Sequence, residues 1–452
     1  MNLFVQFLMW NFSLALVVPF RIDDPDPSRI LEKLGEKIKW STLFSCEKWS
    51  NGMKSKKNGC FHLMLLSISG LVILCLAAAG LIAWDNARLP EHSEVTDKLS
   101  QVEKALISET QHLREAVGDE VLPGWGQAEI PVILYNESYA FLVGVTSPPP
   151  DGWKTVLSGD QRGTTWEVVP GDDIQGELYY RQALSRGGTP QAFTVKIGET
   201  YAATLTTFEY FPISMRSQLQ EVFPEFLKPI FPYRIYIDLM VSGSDQYVTL
   251  ILHEAAHAYQ GITAPERLIA GEQANQDLEQ VYPWENNSLR EDWQIELDLL
   301  VRALQAETDE ESCQLAREFL AVRQVRRLSA GLTAELIGFE RHREWVEGIG
   351  RYAELSVYRL AHERVEYSPV QEIIGVPDFD NYEKYDQRWA REINQMKRLA
   401  NDASERRFYY TGMTQAVLLD RLAPGWQSRL FEPGVWLEDL LAESLSTTTE
   451  TK

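Results

Sequence analysis

The alternation of apolar and polar residues divides the chain into segments of different periodicity. From Phe61 to Trp84 the sequence is apolar on every helical face and carries no acidic or basic side chain apart from His62. A helix of this length spans a bilayer, whereas a long helix in a soluble core usually keeps one polar face. The pattern therefore predicts a transmembrane anchor over residues 61–84.

Charged residues flank this apolar run asymmetrically. Three lysines, Lys54, Lys56 and Lys57, precede it, and acidic residues beginning with Asp85 follow it. Because positively charged flanks stay on the cytoplasmic side, we expect the rest of the chain to lie outside the cytoplasm. In a bacterium with two membranes, this location is the periplasm. The small residues around Ala78 offer a signal-peptide cleavage site, but the length of the run favours a retained anchor.

The first 60 residues allow two interpretations. Leu3 to Phe20 is a second apolar stretch, so residues 1–60 can form a first membrane segment with a cytoplasmic loop. Alternatively, Met53 followed by lysines and an apolar run is how a signal-anchor begins, which would place residues 1–52 upstream of the true start.

After the anchor, the periodicity changes twice. Residues 85–126 carry apolar positions at helical spacing and predict a helical stalk, either as a short coiled coil or packed onto the domain. Residues 127–241 alternate short β-rich runs with turn clusters, and residues 242–443 are helical, with a frayed tail at 444–452. Strands followed by helices are typical of an α+β fold.

Composition narrows the possible partners. The formal net charge is -22, and an acidic surface repels phosphate backbones, so nucleic acid is not an expected partner. Cys313 is the one cysteine after residue 84, which excludes a disulfide within that part of the chain.

A possible metal site lies in residues 244–260, which predict one helix with Ser244 or Asp245 as N-cap and Gly261 at its end. Its motif His-Glu-Ala-Ala-His places His253 and His257 four residues apart, so both imidazoles project from one face and can share a zinc ion. Glu254 then lies beside the metal without binding it and can act as general base.

Hydrolytic zinc needs a third protein ligand. A helical run at 333–361 carries Glu340, Glu347 and Glu354 at seven-residue intervals. Glu347 and Glu354 are both candidates for this ligand. If the intervening chain folds back, Glu296 or His342 could serve instead.

The downstream residues resemble the gluzincin peptidases, as in the aminopeptidase N and glycyl aminopeptidase families. Glu347-Gly-Ile-Gly-Arg-Tyr-Ala-Glu354 is similar to their Glu-Gly-x-Ala-x-Tyr-x-Glu helix, with Gly350 in place of Ala. The resemblance implies that Glu347 is the third zinc ligand. Phe-Tyr-Tyr-Thr-Gly at 408–412 resembles their Tyr-x-x-Gly helix start, which implies that Tyr409, or next to it Tyr410, donates a hydrogen bond to the oxyanion.

The sequence departs from that family in two places. Eighty-nine residues separate His257 from Glu347, which we attribute to an inserted helical hairpin at 289–328 broken at Thr308. The Gly-Ala-Met-Glu-Asn segment that grips a free α-amine in aminopeptidase N relatives is missing, so exopeptidase activity does not follow. By analogy with the family, residues 234–241 are expected to form an edge strand that pairs with the substrate backbone.

Together these features predict an α+β protein with an N-terminal membrane helix, a β-rich region and a helical gluzincin-like catalytic domain. The expected function is that of a membrane-anchored, extracytoplasmic zinc-dependent peptidase acting on a peptide or protein substrate. Two alternatives remain: a membrane-tethered binding protein with a structural or degenerate zinc site, and a non-peptide hydrolase on the same scaffold.

Overall fold

The computed structural model describes residues 57–185, 189–190, 194–240, 243–284 and 286–450. The apolar stretch from Leu3 to Phe20 and the alternative start at Met53 lie outside these residues. Within them the chain is an α+β protein.

The helices are α1 (Lys57–Asn86), α2 (Gln101–Val121), α3 (Tyr210–Val222), α4 (Tyr233–Met240), α5 (Ser244–Thr263), α6 (Pro265–Leu278), α7 (Asn287–Gln305), α8 (Asp309–Ser329), α9 (Ala334–Arg343), α10 (Ile349–Glu363), α11 (Tyr385–Met396), α12 (Arg406–Leu422) and α13 (Leu437–Glu450). A single π-helical turn, Glu344–Gly348, joins α9 to α10. The strands are β1 (Val132–Tyr135), β2 (Tyr139–Val143), β3 (Trp153–Thr155), β4 (Gln161–Arg162), β5 (Glu167–Val168), β6 (Tyr180–Ala183), β7 (Val195–Ile197) and β8 (Thr200–Thr206).

The chain forms two compact units. The first contains the described residues up to Leu89 together with Gln218–Tyr236, and the second contains Pro90–Ser217 and the residues from Ile237 onward. In the first unit, the Asn86 side-chain amide donates to the carbonyls of Pro229 at 3.0 Å and Phe231 at 2.7 Å. These bonds fasten the end of α1 to the shorter segment of its unit.

Helix α1 contains a segment that is long and apolar enough to cross a membrane. Over Ser69–Asn86 the mean hydropathy is 1.6, and 6% of this segment is buried. Transfer of an exposed apolar helix of this kind from water into hydrocarbon lowers its free energy.

The second unit is built on an eight-stranded sheet in the order β4-β3-β7-β8-β1-β2-β6-β5. Strand β1 pairs in parallel with β8, and the other neighbouring strands are antiparallel. All four residues of β1 are buried, as expected for a central strand covered on both faces. On one face Ile133 and Leu142 pack with Trp153 and Trp166 in a common apolar core.

Helix α5 packs against β8, and α2 and α10 pack against α5 and against each other. Of the helical stalk predicted over 85–126, residues 101–121 form α2, whereas residues 87–100 are not helical. Helix α2 packs onto the domain, with Leu106 and Leu113 fully buried. The predicted hairpin at 289–328 corresponds to α7 and α8, with Thr308 capping α8 through a bond from the Glu311 amide.

Seven charged side chains between the hairpin and its neighbours form what we call the arginine–glutamate cluster. Its ion pairs are 2.6–3.1 Å long. The members are Arg323, Arg326, Arg327, Glu296, Glu340, Glu344 and Glu438, all buried. The cluster holds α7 and α8 against α9, the π-turn and α13.

The segment at 234–241, expected as a substrate-pairing strand, is instead largely helix α4. Its apolar residues fit both periods, but Tyr233, Tyr236 and Ile237 are the buried ones and Ile235 is 62% exposed, which is helical spacing. Pro232 immediately precedes the helix, where its fixed φ favours helix initiation. The prediction of a substrate strand is therefore wrong. The predicted β-rich region over 127–241 is also too long, since its last strand ends at Thr206 and helices α3 and α4 follow.

Two helix ends also differ from expectation. Gly243, at φ 102°, is the N-cap of α5, and Ser244 and Asp245 lie inside the first turn, where they bond to the 377–382 segment instead. Helix α5 continues past Gly261 to Thr263. Gly261 does not end the helix but permits close packing, since a Cβ there would lie 2.4 Å from the Tyr201 ring.

The prediction of a frayed tail at 444–452 is wrong for residues 444–450, because these residues continue helix α13. Leu437, Leu441 and Leu445 recur at intervals of four and are all buried, so an apolar stripe carries the helix onward.

Candidate metal centre

Helix α5 brings His253 and His257 together. Their rings lie 4.7 Å apart between centroids at 84°, and both side chains are buried. The four-residue spacing places them one turn apart on the same helix face, as the motif predicts.

The third member is Glu347, on the π-turn. Its Oε2 lies 3.5 Å from His253 Nε2 and 3.4 Å from His257 Nε2. One possible ligand atom from each of the three residues lies within 4.8 Å of the other two. Among the described residues, His253, His257 and Glu347 are the group that could hold a metal ion. Zinc ligands at about 2.0–2.1 Å in a tetrahedron are separated by about 3.3–3.4 Å, so the carboxylate oxygen has suitable spacing from both imidazoles.

Hydrogen bonds on α5 set the orientation of His257. Gln260 Nε2 donates to the Trp345 carbonyl at 2.5 Å, so its Oε1 is left to accept from His257 Nδ1 at 2.9 Å. With the proton on Nδ1, the Nε2 lone pair of His257 points at the site, as metal binding requires.

His253 is oriented from its other side by Glu354. Glu354 Oε2 lies 3.4 Å from His253 Nδ1, and Arg351 and Arg388 hold the same carboxylate in ion pairs. Burial lowers the pKa of His253, but Glu347 and Glu354 outweigh it and raise the pKa to about 10. Glu354, considered as an alternative ligand, contacts the nitrogen of His253 that faces away from the site.

Glu347 is held by Arg343, one helical turn earlier. Arg343 Nη2 lies 2.6 Å from Glu347 Oε1, and Arg343 Nε lies 2.8 Å from Glu405 Oε2. Burial alone would raise the pKa of Glu347, but Arg343 and His257 hold it well below its usual range. Burial raises the pKa of Glu405 to about 8 in spite of Arg343, since Glu347 and other carboxylates lie nearby.

Glu254 is the charged neighbour of the three candidate ligands. It is buried, and its Oε2 has no hydrogen-bond partner among the described residues. Burial raises the pKa of this carboxyl, while His257 and His253 partly oppose the rise. A carboxylate with a raised pKa and an unengaged oxygen is suited to accepting a proton.

Of the two adjacent tyrosines, Tyr409 faces the site. Its ring stacks on His253 at 6.4 Å and 17°, and its hydroxyl bonds to Glu347; burial raises its pKa well above the usual range. Tyr410 instead bonds to Glu392, away from the three candidate ligands. Close packing of α12 on the π-turn permits this placement, because a Cβ on Gly348 would lie 2.5 Å from Gly412 Cα.

The other alternative ligands lie elsewhere. Glu296 is paired with Arg323 and Arg326 in the arginine–glutamate cluster. The His342 ring packs 4.8 Å from Trp436.

Sequence reasoning missed the residues that hold the ligands in place. Gln260 lies three residues after His257, and Arg343 lies four residues before Glu347, so helical spacing alone could have suggested both. Glu405 and Arg388 come from distant segments, and nothing local connects them to the motif.

No protein-family model, curated protein or solved structure matches this chain.

Proposed function

We propose that this chain is a zinc-dependent peptidase anchored in a membrane by α1, with its second unit outside the cytoplasm. The observation that carries the proposal is the convergence of His253, His257 and Glu347 on one buried point beside Glu254. A donor set of two imidazoles and one carboxylate is typical of catalytic zinc, whereas structural zinc sites are usually closed by four protein ligands, mostly cysteines.

The residues present fit a zinc ion. His257 presents Nε2 because its Nδ1–H donates to Gln260 Oε1, and Arg343 keeps Glu347 ionised. When bound, zinc would supply a Lewis acid and lower the pKa of a coordinated water.

The remaining steps fall to side chains of this chain. Glu254 accepts a proton from the attacking water and passes it to the leaving amine, for which its raised pKa and free oxygen are suited. Tyr409 donates a hydrogen bond to the substrate carbonyl oxygen as negative charge develops on it. Its stacking on His253 keeps the hydroxyl next to the site.

The resemblance to the gluzincin motifs supports the same assignment. Gly350 replaces the family's alanine, and here a Cβ at residue 350 would lie 2.8 Å from His253 Nε2 and 2.9 Å from His257 Cε1. In this chain, glycine at position 350 therefore leaves the space that both histidine rings occupy.

Mutation of the general base tests the function. The full-length, zinc-loaded protein in detergent is expected to hydrolyse members of a peptide library, and Glu254→Gln is expected to lose that activity roughly 10²–10⁴-fold with its zinc content unchanged. Glu266→Gln, an exposed glutamate at the start of α6, is the matched control and keeps full activity. Undiminished hydrolysis by Glu254→Gln contradicts the proposal, and stoichiometric zinc without any turnover in the wild type favours a binding protein.

The anchor has a separate test. The lysines that precede α1 and the acidic residues that follow it favour a cytoplasmic N-terminal side. A protease added to intact cells, or to spheroplasts if the cell has an outer membrane, is then expected to digest a tag placed after residue 452. Protection of that tag until the cytoplasmic membrane is opened contradicts the orientation.

A further inference from the structure

A cavity of about 130 Å³ lies directly beside two of the candidate ligands, His257 and Glu347. Neither His253 nor Tyr409 lines it, so it occupies one side of the metal centre. Its walls come from the sheet as well as from the helices, chiefly Trp153, Val156, Leu157, Val195, Leu268 and Val346.

The sheet contributes the wall that faces the helices. Trp153 belongs to β3, and Leu157 lies in the turn between β3 and β4, where it is 37% exposed. Leu268 of α6 and Val346 of the π-turn form the helical wall. A group bound at the metal would therefore have an apolar recess next to it.

Two charged residues also line the cavity. Glu272 is already engaged, because its Oε1 lies 3.2 Å from Arg343 Nη1. Arg162 is half-buried in the short edge strand β4. Since most of the remaining lining is apolar, transfer of an apolar group into the cavity is favourable, whereas an ionised group would lose its hydration.

The size of the cavity limits what can enter. An apolar cavity of ~150 Å³ in a protein interior holds a benzene ring. A volume of about 130 Å³ therefore suits a side chain of leucine or phenylalanine size.

We infer that this cavity receives an apolar side chain of the peptide substrate, at a position flanking the bond that is cleaved. The inference rests on the proposed peptidase function and adds a substrate class to it: peptides with a bulky apolar residue on one side of the scissile bond. It also gives the β-rich region a role, since β3 and the turn after it form the selecting wall.

Substitution of Leu157 tests this selection in the full-length, zinc-loaded protein. Peptides that differ at single positions around the cleaved bond are compared by kcat/KM. The wild type is expected to prefer leucine or phenylalanine over aspartate or lysine at one position by at least ~10-fold. Leu157→Arg is expected to shift that position toward aspartate and glutamate, and Leu157→Glu toward lysine, by about 10-fold each. Preferences at the other positions stay unchanged.

Leu178→Arg is the matched control, because Leu178 is 55% exposed and does not line the cavity. It leaves the preference intact. A purely structural effect of the Leu157 variants would lower kcat/KM for all peptides alike and would not exchange one charge preference for another. If both Leu157 variants cleave peptides with the side-chain preference of the wild type, the inference is overturned while the peptidase function stands.

Failure of the proposed function is recognised separately. If the wild type cleaves no peptide, equilibrium binding of a leucine-containing peptide and its aspartate counterpart is measured instead. Tighter binding of the leucine peptide, reversed by Leu157→Arg, supports the cavity assignment without catalysis. Equal binding, or a preference that Leu157→Arg does not change, overturns it.

Discussion

Two buried groups of charged side chains lie within the second unit and differ in how their charges are arranged. In the arginine–glutamate cluster, carboxylates meet guanidinium groups directly at 2.6–3.1 Å, which is the range of charge-assisted hydrogen bonds. At the candidate metal centre, Glu347 Oε2 lies 3.4–3.5 Å from the two histidine nitrogens, a spacing that fits ligands around a shared ion. Burial alone therefore does not mark a functional site; the separation of the charged atoms does.

The two groups are physically connected through the π-turn. Glu344 begins the turn and is held by Arg323 at 2.6 Å, while Glu347 one helical turn later faces the histidines. Thr411 of α12 also donates to Glu344, at 2.5 Å. The bonds of Glu344 to Arg323 and Thr411 thus fix the backbone that carries the proposed third ligand, and π-turns are often found at functional sites.

The largest difference is expected in metal affinity. Glu347→Ala removes one of three protein ligands and should weaken zinc binding roughly 10²–10³-fold, since structural zinc binding of about 10–16 kcal/mol is shared among four ligands. Chelator competition measures the affinity. Glu340→Gln, an equally buried glutamate of the other cluster, is the control and should keep its zinc; equal losses in both variants would remove the distinction between the clusters.

The free energy of unfolding should be affected more by Glu340→Gln than by Glu347→Ala. Glu340 accepts bonds from Arg326 and Arg327, and those guanidinium groups hold its pKa below the usual range despite burial. Glu340→Gln leaves buried positive charge uncompensated and should lower the free energy of unfolding by about 3 kcal/mol. Denaturant unfolding of the full-length protein in detergent measures this loss. A change below ~1 kcal/mol contradicts a structural role for the cluster.

A smaller effect on metal affinity is expected from the residue behind His253. Glu354→Gln removes the negative charge 3.4 Å from His253 Nδ1 and should weaken zinc binding about 10–100-fold, as loss of partners behind metal ligands usually does. Isothermal titration with zinc measures it. Glu363→Gln, farther along the same helix and exposed, should leave affinity unchanged.

The smallest effects come from a pair of helical glycines. Gly350→Ala places a methyl group against both histidines and should reduce zinc affinity about 10-fold, because overpacking costs about 1–3 kcal/mol. Gly338→Ala, with nothing within 4 Å of the new Cβ, should keep the affinity and add about 0.5–1 kcal/mol to stability. Zinc titration and unfolding of both variants check the pair, and an unaffected Gly350→Ala protein would mean that the histidines lie elsewhere.

Local sequence patterns were sufficient for much of this site. The four-residue spacing of His253 and His257 requires only one helix, and the α7–α8 hairpin follows from its apolar periodicity and the cap at Thr308. The placement of Glu347 is a long-range feature, and it was reachable only through the resemblance of its helix to known motifs.

Other features depend on tertiary packing and were beyond local patterns. At 233–240 the apolar residues satisfy both strand and helix periods, and packing of Tyr236 and Ile237 decides for the helix. Glycine is common at helix ends, but Gly261 lies within α5, where the missing Cβ leaves space for the Tyr201 ring. The Arg343–Glu405 pair and the cavity under Leu157 join segments that are far apart in sequence.

The most direct test of the central claim is X-ray absorption spectroscopy of the zinc-loaded, full-length protein, combined with zinc counting. The expected result is one zinc per chain, with two nitrogen ligands at about 2.0–2.1 Å and carboxylate oxygen at about 2.0–2.2 Å. This signal should be lost in Glu347→Ala and retained in Glu340→Gln. Substoichiometric zinc in the wild type, or an unchanged spectrum in Glu347→Ala, would contradict zinc binding by His253, His257 and Glu347.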